Sequence, residues 1–345
     1  MQTEHKIIFK NAAQLNEIET GSVNLVVTSP PYPMIEMWDS LFADLNPEVA
    51  ALLKRGDGCG SFELMHETLD PVWRELYRVM RAGAFACLNI GDATRTVNGR
   101  FQLFANHARV QNKMFALGFD VLPAILWRKQ TNAPNKFMGS GMLPAGAYVT
   151  LEHEYILIFR KGTKRLFSTA EEKSIRRQSA LFWEERNSWY TDVWDFKGIK
   201  QLTGNGETRS RSAAFPVVLP FRLINMFSVY GDLVLDPFLG TGTTALAAAA
   251  GGRNSIGYEI DPLFEGLIRA KFNQPADEFN RLNIRRLQDH RSFVQNYQPG
   301  KAPLKYMNDH YGFPVKTLQE TALKLVLVNS VTEVAANIYR CGYHL

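Results

Sequence analysis

The 345-residue chain reads as an α/β protein built on a doubly wound, mostly parallel sheet. Three observations predict this. Short apolar or β-branched runs alternate with longer segments of helical spacing, the pattern of strands joined by crossover helices. Runs such as Val23-Asn24-Leu25-Val26-Val27 are too apolar for a strand with one wet face, so they read as strands covered on both sides. A glycine-rich turn, Gly240-Thr241-Gly242, follows one such run and opens a helix of small residues.

Composition bounds the function classes. With 46% hydrophobic and 12% aromatic residues the chain can bury a full core, and no stretch looks disordered. A balance of 39 Lys+Arg against 34 Asp+Glu, net +5, suits a polyanionic partner without requiring one. Cys59, Cys87 and Cys341 form no CxxC pair, which fits a reducing compartment and no metal centre. Residues 1–6 lead into no signal-like apolar segment and no run is long enough for a bilayer, so a soluble, cytoplasmic protein without membrane contact is expected.

In chain order, Ile7-Ile8-Phe9 and Val23 to Val27 read as strands. The stretch from Met34 to the Gly-rich Arg55–Gly60 reads as a long loop, either a flap over a site or a surface excursion. A helix is expected over 63–81, stopped by Gly83, then a buried strand over 84–90. A second helix near 101–117 ends at Gly118, and strands follow at 121–127 and 151–159, the latter antiparallel at the sheet edge. Beyond a break at 160–211, Phe215-Pro216 opens a helix to about 227. Strands at 233–235 and 254–258 flank the small-residue helix 245–250. Residues 274–345 are expected to form a helical extension, with helices near 315–328 and 331–339.

The stretch Thr28-Ser29-Pro30-Pro31-Tyr32-Pro33 ends the second strand. Two consecutive prolines cannot donate ladder hydrogen bonds and hold φ near −65°, so the turn is stiff. It fixes the Ser29 hydroxyl and the Tyr32 ring at the carboxyl end of a strand, where ligands bind in open α/β sheets.

Residues 160–211 carry 12 Lys/Arg against 7 Asp/Glu, with seven aromatics interleaved. A solvated insertion and a nucleic-acid surface both fit this composition. In the second reading Lys164, Arg165, Arg176, Arg177, Arg209 and Arg211 are the candidate DNA contacts.

The downstream motif is Asp236-Pro237-Phe238-Leu239-Gly240-Thr241-Gly242-Thr243-Thr244-Ala245. Its glycines let the backbone approach a ligand, and the alanines let the helix pack close to the sheet. Glu259 ends the next strand, placed to accept both hydroxyls of a ribose.

TSPPY followed some 200 residues later by DPFLGTGTT and GYEID resembles the β class of amino DNA methyltransferases. The resemblance covers roughly residues 5–273, with 160–211 matching in position only. It implies a Rossmann-like S-adenosylmethionine-dependent fold with permuted motif order. The catalytic half is 1–159, the target-recognition region 160–211, the cofactor half 212–273 and the extension 274–345. Ser29, Pro30, Pro31 and Tyr32 would form the catalytic turn. Asp236, Pro237, Phe238, Gly240, Gly242, Thr243 and Glu259 would hold S-adenosyl-L-methionine. The implied partners are duplex DNA and, functionally, a cognate restriction endonuclease, with the enzyme a monomer or homodimer.

The chemistry suits these residue types. Acceptors on both N–H bonds of an exocyclic amine favour a pyramidal nitrogen with an exposed lone pair, and fixed acceptors need not reorient as charge develops. The base must be flipped out of the duplex, and an aromatic face returns part of that cost. Ser in the first motif position resembles the cytosine-N4 enzymes more than the adenine-N6 ones, so cytosine N4 is the expected target and adenine N6 the alternative. A nicotinamide-type oxidoreductase would explain the glycine loop but leave TSPPY idle. A catalytically dead fold kept for DNA binding would need a damaged turn, and this one is intact.

Overall fold

The computed structural model describes residues 1–129, 145–146, 148–198, 215–298 and 303–344. In chain order the strands are β1 (Gln2–Phe9), β2 (Val23–Thr28), β3 (Met80–Ile90), β4 (Ala93–Val97), β5 (Arg100–Phe104), β6 (Phe119–Arg128), β7 (His153–Lys161), β8 (Val193–Asp195), β9 (Leu233–Asp236), β10 (Asn254–Glu259), β11 (Tyr306–Met307), β12 (Pro314–Val315), β13 (Leu327–Ala335) and β14 (Ile338–His344). The helices are α1 (Asp39–Leu45), α2 (Pro47–Arg55), α3 (Gly58–Val79), α4 (Asn106–Ala116), α5 (Ala170–Gln178), α6 (Trp183–Trp189), α7 (Val218–Phe227), α8 (Thr243–Ala250), α9 (Glu265–Phe272) and α10 (Ala276–Gln295).

Ten strands form one sheet in the order β13-β14-β1-β10-β9-β2-β3-β7-β6-β8. Its centre, β1-β10-β9-β2-β3, is parallel throughout. β7 runs antiparallel to both β3 and β6. Helices cover both faces, which is why the central strands are apolar on both. Along β7, Leu157 and Phe159 face the cluster containing α3 and α4, while Ile156 and Ile158 face the one containing α7 and α8.

Four expectations need correction. The supposed loop before residue 60 is helical. Gly56, at φ 76°, ends α2 in a left-handed cap, and the Asp57 side chain accepts from Gly60 N to start α3, so the glycine cluster marks a helix junction rather than a flap. The helix expected at 101–117 starts only at Asn106. Before it, β4 and β5 make a hairpin whose Asn98-Gly99 turn has both φ angles positive. β7 is antiparallel as expected, but β6 and β8 lie outside it, so it is not the edge.

The largest correction is at the C-terminus. Among the described residues the only long helix there is α10; the segment read as a helix near 331–339 forms the turn end of the hairpin β13–β14, turned at Asn337 with φ 60°, and the one near 315–328 is irregular chain with a single short turn at Leu318–Glu320 before β13 begins. Val328, Val331, Thr332 and Val334 are β-branched, and β14 finds the open edge of β1 to pair with. Among the described residues no helix is long and apolar enough to cross a membrane.

Candidate functional site

β2 and β9 are neighbours in the sheet, with Leu25 opposite Val234 and Val26 opposite Leu235. Their carboxyl ends carry the two motifs, so residues some 200 positions apart leave the sheet side by side. Thr28 Oγ1 donates to Asp236 Oδ1 at 2.6 Å, and Phe238 N donates to the same oxygen at 3.0 Å. Burial pushes the Asp236 carboxyl up to about 6 against the pull of these donors.

Between the motifs lies a cavity of about 540 Å³, within the range of small-molecule sites. Ser29, Pro30 and Pro31 form part of its wall, and Asp236 to Thr241, Thr243 and Glu259 another part. Gly242 has φ 80°, and a Cβ there would lie 3.2 Å from Ile268 Cγ1, so a side chain is disfavoured on both counts. Glu259 is 8% exposed. Its Oε2 accepts from Gly240 N at 2.7 Å and its Oε1 from Asp261 N at 2.8 Å. Each oxygen keeps a further lone pair for a ligand hydroxyl. Burial raises the Glu259 pKa, opposed by these two N–H groups.

Across the cavity, the Ser29–Tyr32 turn is held from below. Asn106 Nδ2 donates to Pro33 O at 3.0 Å and to Gly91 O at 2.9 Å, tying the turn to the end of β3. Tyr32 Oη donates to Glu154 Oε2 at 3.0 Å and lies 2.9 Å from Ser29 Oγ. Asn89 Nδ2 donates to Tyr32 Oη at 2.8 Å and to Glu154 Oε2 at 2.6 Å. Lys129 Nζ forms an ion pair with Glu154 Oε1. Burial and the Glu154 charge hold the Tyr32 phenol well above its ordinary pKa. Tyr32 itself is only 8% exposed, with its ring edge against Gly91, so little of its ring is open.

A family model for DNA methylases of the N6/N4 type matches residues 23–269. The chain belongs to the N6/N4 DNA methylase family. The Type II methyltransferase M.MthZI of Methanothermobacter thermautotrophicus is 50% identical over 99% of this chain and 96% of its own length. M.MjaI of Methanocaldococcus jannaschii is 50% identical over 81% of this chain and 95% of its own. A Thermus thermophilus protein described as a putative DNA modification methylase, solved with S-adenosyl-L-methionine, superposes with a TM-score of 0.59 at 32% identity. The match covers 80% of this chain and 95% of that protein.

The methylase fold thus brings together the predicted Ser29, Pro30, Pro31, Asp236, Pro237, Phe238, Gly240, Thr243 and Glu259 around one cavity. Of the basic window, the described candidates Lys164, Arg165, Arg176 and Arg177 do not line it. Arg165 is ion-paired with Asp232 at 2.7 Å, and Arg165 and Arg176 both stack on Phe167. Asp232 precedes β9 while Asp236 ends it, so this group sits at the amino edge, about 13 Å along the strand from the cavity edge. Arg176 and Arg177 are exposed on α5, and Lys164 adjoins Arg165. Arg209 and Arg211 lie outside the described residues.

Four residues that brace the turn and the glycine loop from behind escaped sequence reasoning: Asn89, Lys129, Glu154 and Lys271. Lys271 donates to the Thr241 and Thr243 hydroxyls at 2.8 and 3.1 Å, bracing the glycine loop, and burial lowers its pKa to about 8. For Glu154 a signal existed: an acid at the head of the apolar strand Tyr155-Ile156-Leu157-Ile158-Phe159.

Proposed function

We propose that this methylase transfers a methyl group from S-adenosyl-L-methionine to N4 of a flipped-out cytosine in duplex DNA. The observation that carries the reading is the Ser29-Pro30-Pro31 turn sharing one cavity wall system with the Asp236–Gly240 loop. The cofactor supplies an electrophilic methyl group on a sulfonium. The residues suit it: Glu259 has lone pairs left for a ribose, Phe238 and Pro237 offer apolar contact, and the Gly240-Thr241 backbone admits close approach.

On the base side, the Ser29 hydroxyl and a carbonyl of the Pro30-Pro31 turn accept from the amine. Their orientation is fixed beforehand, so no reorganisation accompanies the charge that builds on nitrogen. Tyr32 stacks on the base. Because it is 8% exposed, the ~1–3 kcal/mol typical of base–aromatic stacking is an upper bound. Serine at the first motif position favours cytosine over adenine. The relatives' Type II names suggest a companion endonuclease, and the enzyme works where the DNA is, in the cytoplasm.

The test is chemical. Plasmid DNA from a host expressing the chain is digested to nucleosides and analysed by mass spectrometry. We expect 4-methylcytosine. Finding 6-methyladenine instead would reverse the choice of base and keep the mechanism; finding neither would sink the activity.

A further inference from the structure

The geometry points to Glu154 as a positioning residue that, through Tyr32, presets the Ser29 hydroxyl as an acceptor and takes up the proton the target amine loses. The inference rests on the amino-methylation reading, for either base.

Topology brings the carboxylate to the site. β7 is antiparallel to β3, with Tyr155 opposite Ile90, so the start of β7 meets the carboxyl end of β3 beside the catalytic turn. The Glu154 side chain is 13% exposed there.

The direction of every hydrogen bond then follows from what each group can do. An ionised carboxylate only accepts. Tyr32 must therefore give its single proton to Glu154 Oε2. With that proton committed, Tyr32 Oη only accepts, from Asn89 Nδ2 and from Ser29. Ser29 in turn must give its single proton to Tyr32, which leaves its lone pairs for the cavity it lines. Asn89 enforces the same order. Flipping its amide would set Oδ1 against two oxygens, the phenol and the carboxylate, that both need a donor. Lys129 occupies the other carboxylate oxygen, so Glu154 faces donors on both sides.

The same chain provides an exit for the proton. Methylation leaves the amine nitrogen positively charged with one proton too many. That proton passes to Ser29 Oγ, the Ser29 proton to Tyr32 Oη, and the Tyr32 proton to Glu154 Oε2. Three protons each move one hydrogen bond, the nitrogen becomes neutral, and the carboxylate becomes a carboxylic acid.

Glu154→Gln and Tyr32→Phe cut the chain at different links. In Glu154→Gln, Lys129 draws the amide oxygen, so the NH₂ faces Tyr32 and Asn89 as a third donor and the chain reverses. We expect each variant to slow single-turnover methylation of unmethylated plasmid DNA at least tenfold, with cofactor and DNA Kd within threefold of the parent. The double variant should be no slower than the slower single one, because both act through one chain. Glu154→Asp, which keeps a carboxylate, should be intermediate. A readout independent of turnover is the Tyr32 phenol titration, followed by ¹³C-tyrosine NMR on protein without cofactor or DNA. It should lie above the ordinary tyrosine range in the parent and drop in Glu154→Gln, where the carboxylate charge is gone.

Single variants within twofold of an active parent, multiplying losses in the double variant, or an unshifted parent phenol would each overturn the chain. Should Glu154→Gln melt early, Tyr32→Phe and the parent titration still decide. A parent that methylates nothing would refute the activity, while the titration would still judge the hydrogen-bond chain.

Discussion

The two edges of the central sheet use similar polar residues in opposite ways. At the amino edge each of these charges is spent on structure. Arg165 pairs with Asp232, whose carboxylate also accepts from Val229 N. Arg253, fully buried before β10, donates to Ser228 Oγ and O, Asn225 Oδ1 and Gly251 O while lying over the Tyr230 ring. At the carboxyl edge the polar groups are held but not exhausted: Glu259 keeps lone pairs on both oxygens, and Ser29 keeps its own facing the cavity. Fixed orientation with spare capacity is what a site needs, because the scaffold has already borne the ordering cost and the ligand completes the bonds.

This contrast can be broken in order of expected effect. Arg253→Met should be the most damaging change, since it leaves several buried acceptors without a donor. A loss of about 2–4 kcal/mol in denaturant unfolding is expected, from about 1–3 kcal/mol for each buried acceptor left unsatisfied, partly relieved by relaxation. A loss below about 1 kcal/mol would mean the amino edge is less committed to structure than its bonds imply. Glu259→Ala should act in the opposite manner. It should weaken S-adenosyl-L-methionine binding by about ten- to a hundred-fold, from the ~1.5–3 kcal/mol of a charge-assisted hydrogen bond, with a modest change in Tm. Unchanged affinity by calorimetry would move the ribose contact elsewhere.

The smallest effect is expected from neutralising Arg176 and Arg177 together. Arg176 stands with Arg165 on Phe167 and neither Arg176 nor Arg177 lines the cavity, so the slope of log Kd against log salt should change by less than about one. A change near ~1.8, two phosphate contacts, would carry the DNA across the amino edge and restore 160–211 as the gripping surface.

What the sequence made legible follows from how far apart the cooperating residues lie along the chain. TSPPY and DPFLGTG are contiguous, and each states its own chemistry through proline stiffness or glycine freedom. Their meeting is also legible, through the resemblance, and the Thr28–Asp236 bond is its physical form. The support under the turn is not legible. Asn89 and Glu154 stand 57 and 122 residues from Tyr32, and only strand order makes them neighbours. The C-terminal hairpin was hidden for another reason. Val328, Val331 and Val334 suit a helix face or a strand equally in a short run, and pairing with β14, itself seated on the free edge of β1, decides between them. Composition reports charge but not pairing: Arg165 counts toward the basic window yet is paired with Asp232.

Hydrogen–deuterium exchange with and without S-adenosyl-L-methionine compares the two edges in one measurement. New protection should fall on peptides covering 28–38 and 236–261, with 161–179 and 228–232 unchanged. Protection at the amino-edge peptides, with none at the Ser29–Tyr32 turn or the glycine loop, would contradict the assignment of the reactive edge.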